Sequence, residues 1–281
     1  VVKAAPVLWD KNIVDTKETA QAVVVNSGIA NACTGKQGMD ICKKEAECAG
    51  KLLGIPTDAV LVASTGVIGM QIPEDRICAG IEKLAAAKTD TLKAGNDAAR
   101  AIMTTDTVFK EVAVEIELSG KKVTLGGMCK GSGMIHPNMC TMLGFVTTDA
   151  AISKELLVKA VKKDVIDSFN MISVDGDTST NDTLLVLANG MAENPVITEE
   201  NEDYKVFCEA LHAVTTTLAK KMAGDGEGAT ALFETKVIHA DTKQNARILA
   251  KSVICSSLTK AAIFGHDANW GRILCALGYS G

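Results

Sequence analysis

The stretch KGSGMIHPNMCTMLGFVTTDA at 130–150 constrains this chain more than any other. A glycine-rich, proline-containing loop runs into Thr141, and Thr141 opens an apolar run. That layout is the one expected of a self-cleaving precursor. Scission between Cys140 and Thr141 would leave Thr141 as a new N-terminus. Its free α-amine could then take the proton of its own hydroxyl, placing nucleophile and base on one residue. The chain is therefore expected to work as two pieces, 1–140 and 141–281.

A length of 281 residues suffices for one large domain or two lobes with a sizeable core. Aromatic residues make up only 4% of a chain that is 47% hydrophobic, so Ala, Val, Leu, Ile and Met must fill that core. Close-packed α/β layers suit those side chains. The net charge of −5 leaves no basic footprint for nucleic acid, and nothing favours an anionic membrane surface. No apolar run is long enough to span a bilayer. The nine cysteines form no CxxC, and no histidine pair has ligand spacing, so no metal is expected. An odd cysteine count in a domain of this size points to reduced thiols and a cytoplasmic location.

Hydrophobic periodicity alternates between strand and helix. Strands are expected at 21–25, 59–63, 112–118, 122–125, 143–148, 171–174, 183–188 and 233–239. Helices are expected at 38–53, 74–86, 91–103, 154–169, 204–222, 244–255 and from 270, with Ser153 as an N-cap. The alternation implies an α/β fold, a sandwich of sheets covered by helices. No repeat of solenoid length is present.

Several short motifs carry less than they suggest. Gly127-x-x-x-Gly131-Ser132-Gly133 is not a Walker loop, because Lys130 precedes the glycine. Gly224-x-Gly226-x-Gly228 follows a helix, whereas a dinucleotide fingerprint follows a strand. Asp175 to Asn181 resembles a calcium loop until Val186 falls where the bidentate acid belongs. Ser64-Thr65-Gly66 reads as a turn after a buried strand. A Thr65 hydroxyl with a Gly66 N–H can form a two-donor oxyanion hole, although, taken alone, the motif is better read as an ordinary strand-to-loop turn. Glu227 sits between glycines and can hold an ammonium or simply face solvent. Lys130 can bind a carboxylate or lie on the surface. The four histidines show no partner arrangement and are read as structural.

Taken together the segments resemble one family, the ornithine acetyltransferases, or bifunctional glutamate N-acetyltransferases, of arginine biosynthesis. The matching stretches are VKAAPV at 2–7, VNSGIANACTG at 25–35, STGVIG at 64–69, IMTTDT at 102–107, the 130–150 segment, SVDGDTSTNDT at 173–183, GDGEGAT at 224–230 and HDANWGRIL at 266–274. They run in family order over nearly the whole chain. The resemblance implies an α/β sandwich distinct from the Rossmann type. It implies an α chain, here 1–140, and a β chain, here 141–281, with both ends of the precursor extending beyond the residues given. The residue before the cut is usually alanine in this family, and Cys140 is small enough to replace it.

The activity so implied is transfer of an acetyl group from N-acetylornithine to glutamate through an acetyl-Thr141 intermediate. Acetyl-CoA serves some members as an alternative donor, and no other cofactor is expected. Thr65 and Gly66 match the oxyanion hole; Thr104, Lys130, Thr141 and Glu227 match substrate-binding positions. Two α and two β chains are expected to assemble as a heterotetramer. Two other functions compete. One is an N-terminal-nucleophile aminopeptidase or amidase, with water in place of glutamate. The other is an unprocessed metabolite-binding protein without catalysis.

Overall fold

A computed structural model describes residues 2–136 and 142–281. Cys140 and Thr141, and with them the cleavage site, lie outside the described residues. Nine helices occur among those described: α1 (Ala5–Thr16), α2 (Gly35–Leu53), α3 (Glu74–Ala87), α4 (Leu92–Ala101), α5 (Lys154–Asp164), α6 (Glu202–Gly224), α7 (Lys243–Cys255), α8 (Ser257–Phe264) and α9 (Trp270–Gly278). The strands are β1 (Ala22–Ile29), β2 (Val60–Val67), β3 (Lys110–Leu118), β4 (Lys121–Lys130), β5 (Leu143–Thr148) and β6 (Thr183–Ala188).

Strands β1 and β2 pair in parallel, with Ser27 opposite Thr65 and Gly28 opposite Gly66. The other sheet has the order β3-β4-β5-β6, antiparallel except for the parallel β5/β6 pair. Strand alternation assigns each sheet two faces. Leu61 and Ala63 of β2 share a core with Leu143 and Phe145 of β5 and Leu185 of β6, so the two sheets pack on each other. Val60 and Val62 point the other way, onto Cys42, Ala46 and Ala49 of α2 and Ile81 of α3. Val146 of β5 and Leu125 of β4 likewise turn outward, onto Phe207, Leu211, Val214 and Leu218 of α6. The result is a helix–sheet–sheet–helix sandwich, as the α/β alternation of the sequence implied.

Local differences have physical reasons. Ser64, Thr65 and Gly66 belong to strand β2, and Asn26 to Gly28 belong to β1; the two polar runs pair with each other instead of turning. Residues 171–174 form no strand. A 3-10 turn at Phe169–Met171 ends α5's descent, and Val174 N bonds only Ile135 O, at 2.6 Å. Residues 233–239 carry no strand assignment. Their burial alternates as a strand's does, but no neighbour completes a ladder among the described residues. Helix α5 stops at Asp164, five residues early, where Ser168 Oγ donates to Asp164 O and competes with helix continuation. Helices α1 and α8 were missed, the first because Pro6 was not recognised as a helix-starting residue.

Candidate active site

Pairing sets Lys130, the last residue of β4, opposite Leu143 of β5, and Leu143 opposite Thr183 of β6. Three strand ends therefore meet where β5 begins. The ends of β1 and β2 reach the same place. Asn181, two residues before β6, donates through Nδ2 to Ser64 O at 2.8 Å and to Ala30 O at 2.5 Å. Ser27 Oγ of β1 donates to Ala101 O at 2.8 Å, which brings the segment after α4 alongside. Beyond Gly28, Gly66 has φ +130°, and a Cβ there would lie 2.2 Å from Gly28 C. Only glycine allows the two backbones this approach.

Beneath these ends lies a buried network of charges. Lys110 begins β3 with a fully buried side chain, and its ammonium donates to Asp106 Oδ1 at 2.7 Å and Asp225 Oδ2 at 2.6 Å. Asp106 also accepts from Gly131 N at 2.7 Å and from Thr104 N at 3.0 Å. Asp225 accepts from Thr107 N at 3.1 Å and from the Thr107 hydroxyl. Burial opposes the charge on Asp106, yet the Lys110 ammonium, the Gly131 and Thr104 amides and nearby Lys130 hold its carboxyl below the usual carboxylate range. The same contest, won by Lys110 and Thr107, keeps Asp225 low.

Lys130 differs from Lys110. It is 3% exposed, its ammonium lies 3.8 Å from Asp106 Oδ2, and it donates no hydrogen bond among the described residues. Burial pushes its pKa below the ordinary lysine value, against the pull of Asp106 and Glu227. Glu227 joins the group through its own N–H, which donates to Ser132 O at 3.0 Å. Its carboxylate packs on Gly133, where a Cβ would lie 2.4 Å from Oε1. Ser132 Oγ in turn donates to Asp225 O at 2.7 Å.

Asp182 is a further buried acid, close enough to Lys130 to feel its charge. It is 7% exposed, and its Oδ1 accepts from Met142 N. Its Oδ2 is buried without a partner among the described residues. Burial raises its pKa to about 8, with the Met142 amide and Lys130 opposing.

The structure thus ties Thr104 to Asp106 and, through Ser132, Glu227 to Asp225, with the Lys130 ammonium 3.8 Å from Asp106; Asn181 separately holds Ser64, the residue before Thr65. Thr141, by sequence, directly precedes Met142. Sequence reasoning missed Asp106, Lys110, Asn181, Asp182 and Asp225. An Asp-x-x-x-Lys spacing gave the only hint, because a lysine at the head of an alternating strand reads as solvent-facing. Two of the histidines do have partners: His212 Nδ1 meets Asp164 Oδ1 at 2.7 Å, and His136 Nδ1 meets Ser173 Oγ at 3.0 Å. Among the described residues no group of three or more His, Cys, Asp or Glu is placed to hold a metal.

A cavity of about 500 Å³ lies between α6, α7, α8 and residues 227–235. Of the residues proposed from the sequence only Glu227 lines it, and its wall is mainly apolar, with Ile172, Val174, Phe233 and Ile263. The convergent polar groups at the start of β5 make the stronger candidate for chemistry.

The ArgJ family model matches residues 1–281. "Arginine biosynthesis bifunctional protein ArgJ 1" of Clostridium acetobutylicum is 56% identical over 281 residues, covering 99% of this chain and 68% of that protein. The ArgJ of Symbiobacterium thermophilum is also 56% identical, covering 100% and 69%. A crystal structure of ornithine acetyltransferase complexed with ornithine, from Mycobacterium tuberculosis, is 36% identical and covers 49% of this chain and 72% of that one, with a TM-score of 0.42. The match along the whole chain, at more than half identity to relatives of which it spans two thirds, shows that this protein belongs to the ArgJ family.

Proposed function

We propose that this protein moves an acetyl group from N-acetylornithine to glutamate by way of Thr141. Membership of the ArgJ family makes it an acetyltransferase of arginine biosynthesis; the route and the residues are our reading. One observation carries it: a buried Lys130 ammonium, 3.8 Å from Asp106 Oδ2 and with no hydrogen bond among the described residues, ends the strand paired with β5, which begins two residues after Thr141. A buried cation costs free energy unless something pairs with it, and a substrate carboxylate supplies the missing acceptors.

In the first step the Thr141 hydroxyl attacks the Cys140 carbonyl. The peptide C–N bond breaks, the nitrogen takes the proton, and water hydrolyses the resulting ester. The exposed α-amine has a reference pKa of about 7.7–8, so a useful fraction is neutral and can act as base. In turnover the Thr141 oxygen attacks the acetamide carbonyl of N-acetylornithine. Ornithine leaves with the transferred proton. The amine of glutamate then takes the acetyl group and the hydroxyl is restored. Thr65 and Gly66 stabilise the oxyanion, an effect of about a hundredfold per donor. Lys130 holds the substrate carboxylate, while Thr104 and Glu227 bind the remainder. The reading carries with it two α and two β chains per assembly, a cytoplasmic location, no resident cofactor, and acetyl-CoA as an alternative donor.

The test is N-acetylornithine carrying a labelled acetyl group, offered with glutamate. Label is expected in N-acetylglutamate, and Thr141→Ala is expected to give an uncleaved, inactive chain. Label released mainly as acetate would favour the hydrolase. Active, cleaved Thr141→Ala would remove Thr141 from the mechanism.

A further inference from the structure

We propose that Cys48 and Cys78 form a redox-sensitive modification site, a dithiol that small disulfides oxidise to a covalent link between helices α2 and α3. The inference stands apart from the acetyl-transfer reading, and both cysteines lie on the same side of the 140/141 junction.

Geometry carries it. Cys48 Sγ of α2 and Cys78 Sγ of α3 are free thiols 2.7 Å apart. A disulfide bond is about 2.05 Å long, so closing it asks for a movement of about 0.7 Å. Two thiolates on one tetrahedral zinc ion would stand about 3.8 Å apart, so the spacing fits a covalent link better than a shared metal. The two helices hold this register at a second rung. Lys44 and Glu74, each four residues before its cysteine, pair at 3.4 Å. Packing fixes the inner side. Ile77 and Ile81, either side of Cys78 in α3, and Cys48 itself pack into the core that holds Cys42, Ala46 and Ala49 of α2. Both thiols are half-buried, within reach of a small reagent, whereas Cys33 and Cys275 are exposed and Cys42 and Cys129 are buried. Among the described residues no other two thiols meet.

The oxidant is a low-molecular-weight disulfide such as oxidised glutathione. The Cys48 thiolate attacks one of its sulfurs, the S–S bond breaks, and one glutathione leaves as a thiol with the proton that Cys48 gave up. The Cys78 sulfur then attacks Cys48 Sγ, its proton passing to the second departing glutathione. Two protein thiols are oxidised and one small disulfide is reduced to two thiols. Burial and the adjacent Cys48 thiol push Cys78 up to about 12, so Cys78 acts second, once the mixed disulfide lies against it. The link joins positions 30 residues apart, and the loop it closes contains all of β2, with Thr65 and Gly66. Closing that loop removes conformations from the unfolded chain and staples this lobe when small disulfides accumulate.

The experiment treats the full-length protein with reduced or with oxidised glutathione, alkylates the remaining thiols, maps linked peptides by mass spectrometry without reductant, and measures Tm in parallel. A Cys48–Cys78 link is expected, with a Tm about 5 °C or more above that of the reduced protein, reversed by dithiothreitol. Cys48→Ser and Cys78→Ser are each expected to lose both the link and the rise in Tm; Cys48→Ala and Cys78→Ala replace them where a serine variant fails to fold. No link, glutathione retained on Cys48, or linkage mainly through Cys33 or Cys275 would overturn the inference. So would a linked protein that melts no higher than the reduced one, or a rise in Tm that survives in the single variants.

Discussion

The two lobes treat buried charge in opposite ways. Beside β3 and β4, Lys110, Asp106 and Asp225 are buried but paired within 2.7 Å, and both carboxyls are held below their ordinary range. Beneath β2, Asp10 and Glu45 are buried and largely unpaired. Asp10 Oδ1 accepts from Val62 N at 2.7 Å, but its Oδ2 and both oxygens of Glu45 have no partner among the described residues. Burial raises Asp10 to about 7 and Glu45 to about 8. A carboxyl's depth does not fix the direction of its shift; the presence of a cation does. The candidate site holds both kinds of group: the paired Lys110 network and, beside it, Lys130 and Asp182, which are buried with fewer partners among the described residues.

The strongest way to break this contrast is Lys110→Met, which strands two buried carboxylates. Loss of one partner of a buried pair costs about 3–5 kcal/mol, so a large fall in Tm at pH 7 is expected. An unchanged Tm would mean the network is not the keystone described. Next in size is the response to pH. The raised pKa values of Asp10 and Glu45 mean that the native state binds protons the unfolded chain has released above about pH 4. Their contribution is whole below that and is lost as pH rises through 7 and 8. Asp106 and Asp225 run the other way, contributing above their unfolded pKa and losing it on acidification. Glu45→Gln is expected to raise Tm at pH 9 relative to wild type and to change it less at pH 6. Equal shifts at both would show that Glu45 is already charged. The smallest effect belongs to the exposed Lys11–Asp15 pair, one helical turn apart in α1. Asp15→Asn is expected to leave the midpoint of a urea melt nearly unchanged. A larger change would mean that solvent screening is weaker than this contrast assumes.

Much of the fold was legible because burial follows period. Val60 to Ala63 alternates between two cores, and α6 shows its apolar stripe plainly. The pairing partners were not legible. Ser64 to Gly66 reads as a turn from composition, yet a second polar run, Asn26 to Gly28, supplies a partner strand from 38 residues away. The same holds at the site. Lys130 and Glu227 were found through motifs on loops, whereas Lys110 and Asp182 were hidden because their importance lies in distant acceptors and donors. A lysine heading a strand shows its meaning only once Asp225, 115 residues later, is beside it.

The most direct measurement is the intact mass of active protein, taken before and after brief exposure to N-acetylornithine without glutamate. The account predicts a fragment beginning at Thr141 that gains the mass of one acetyl group and loses it when glutamate is added. A fully active, uncleaved chain, or an acetyl group trapped on another residue, would contradict it.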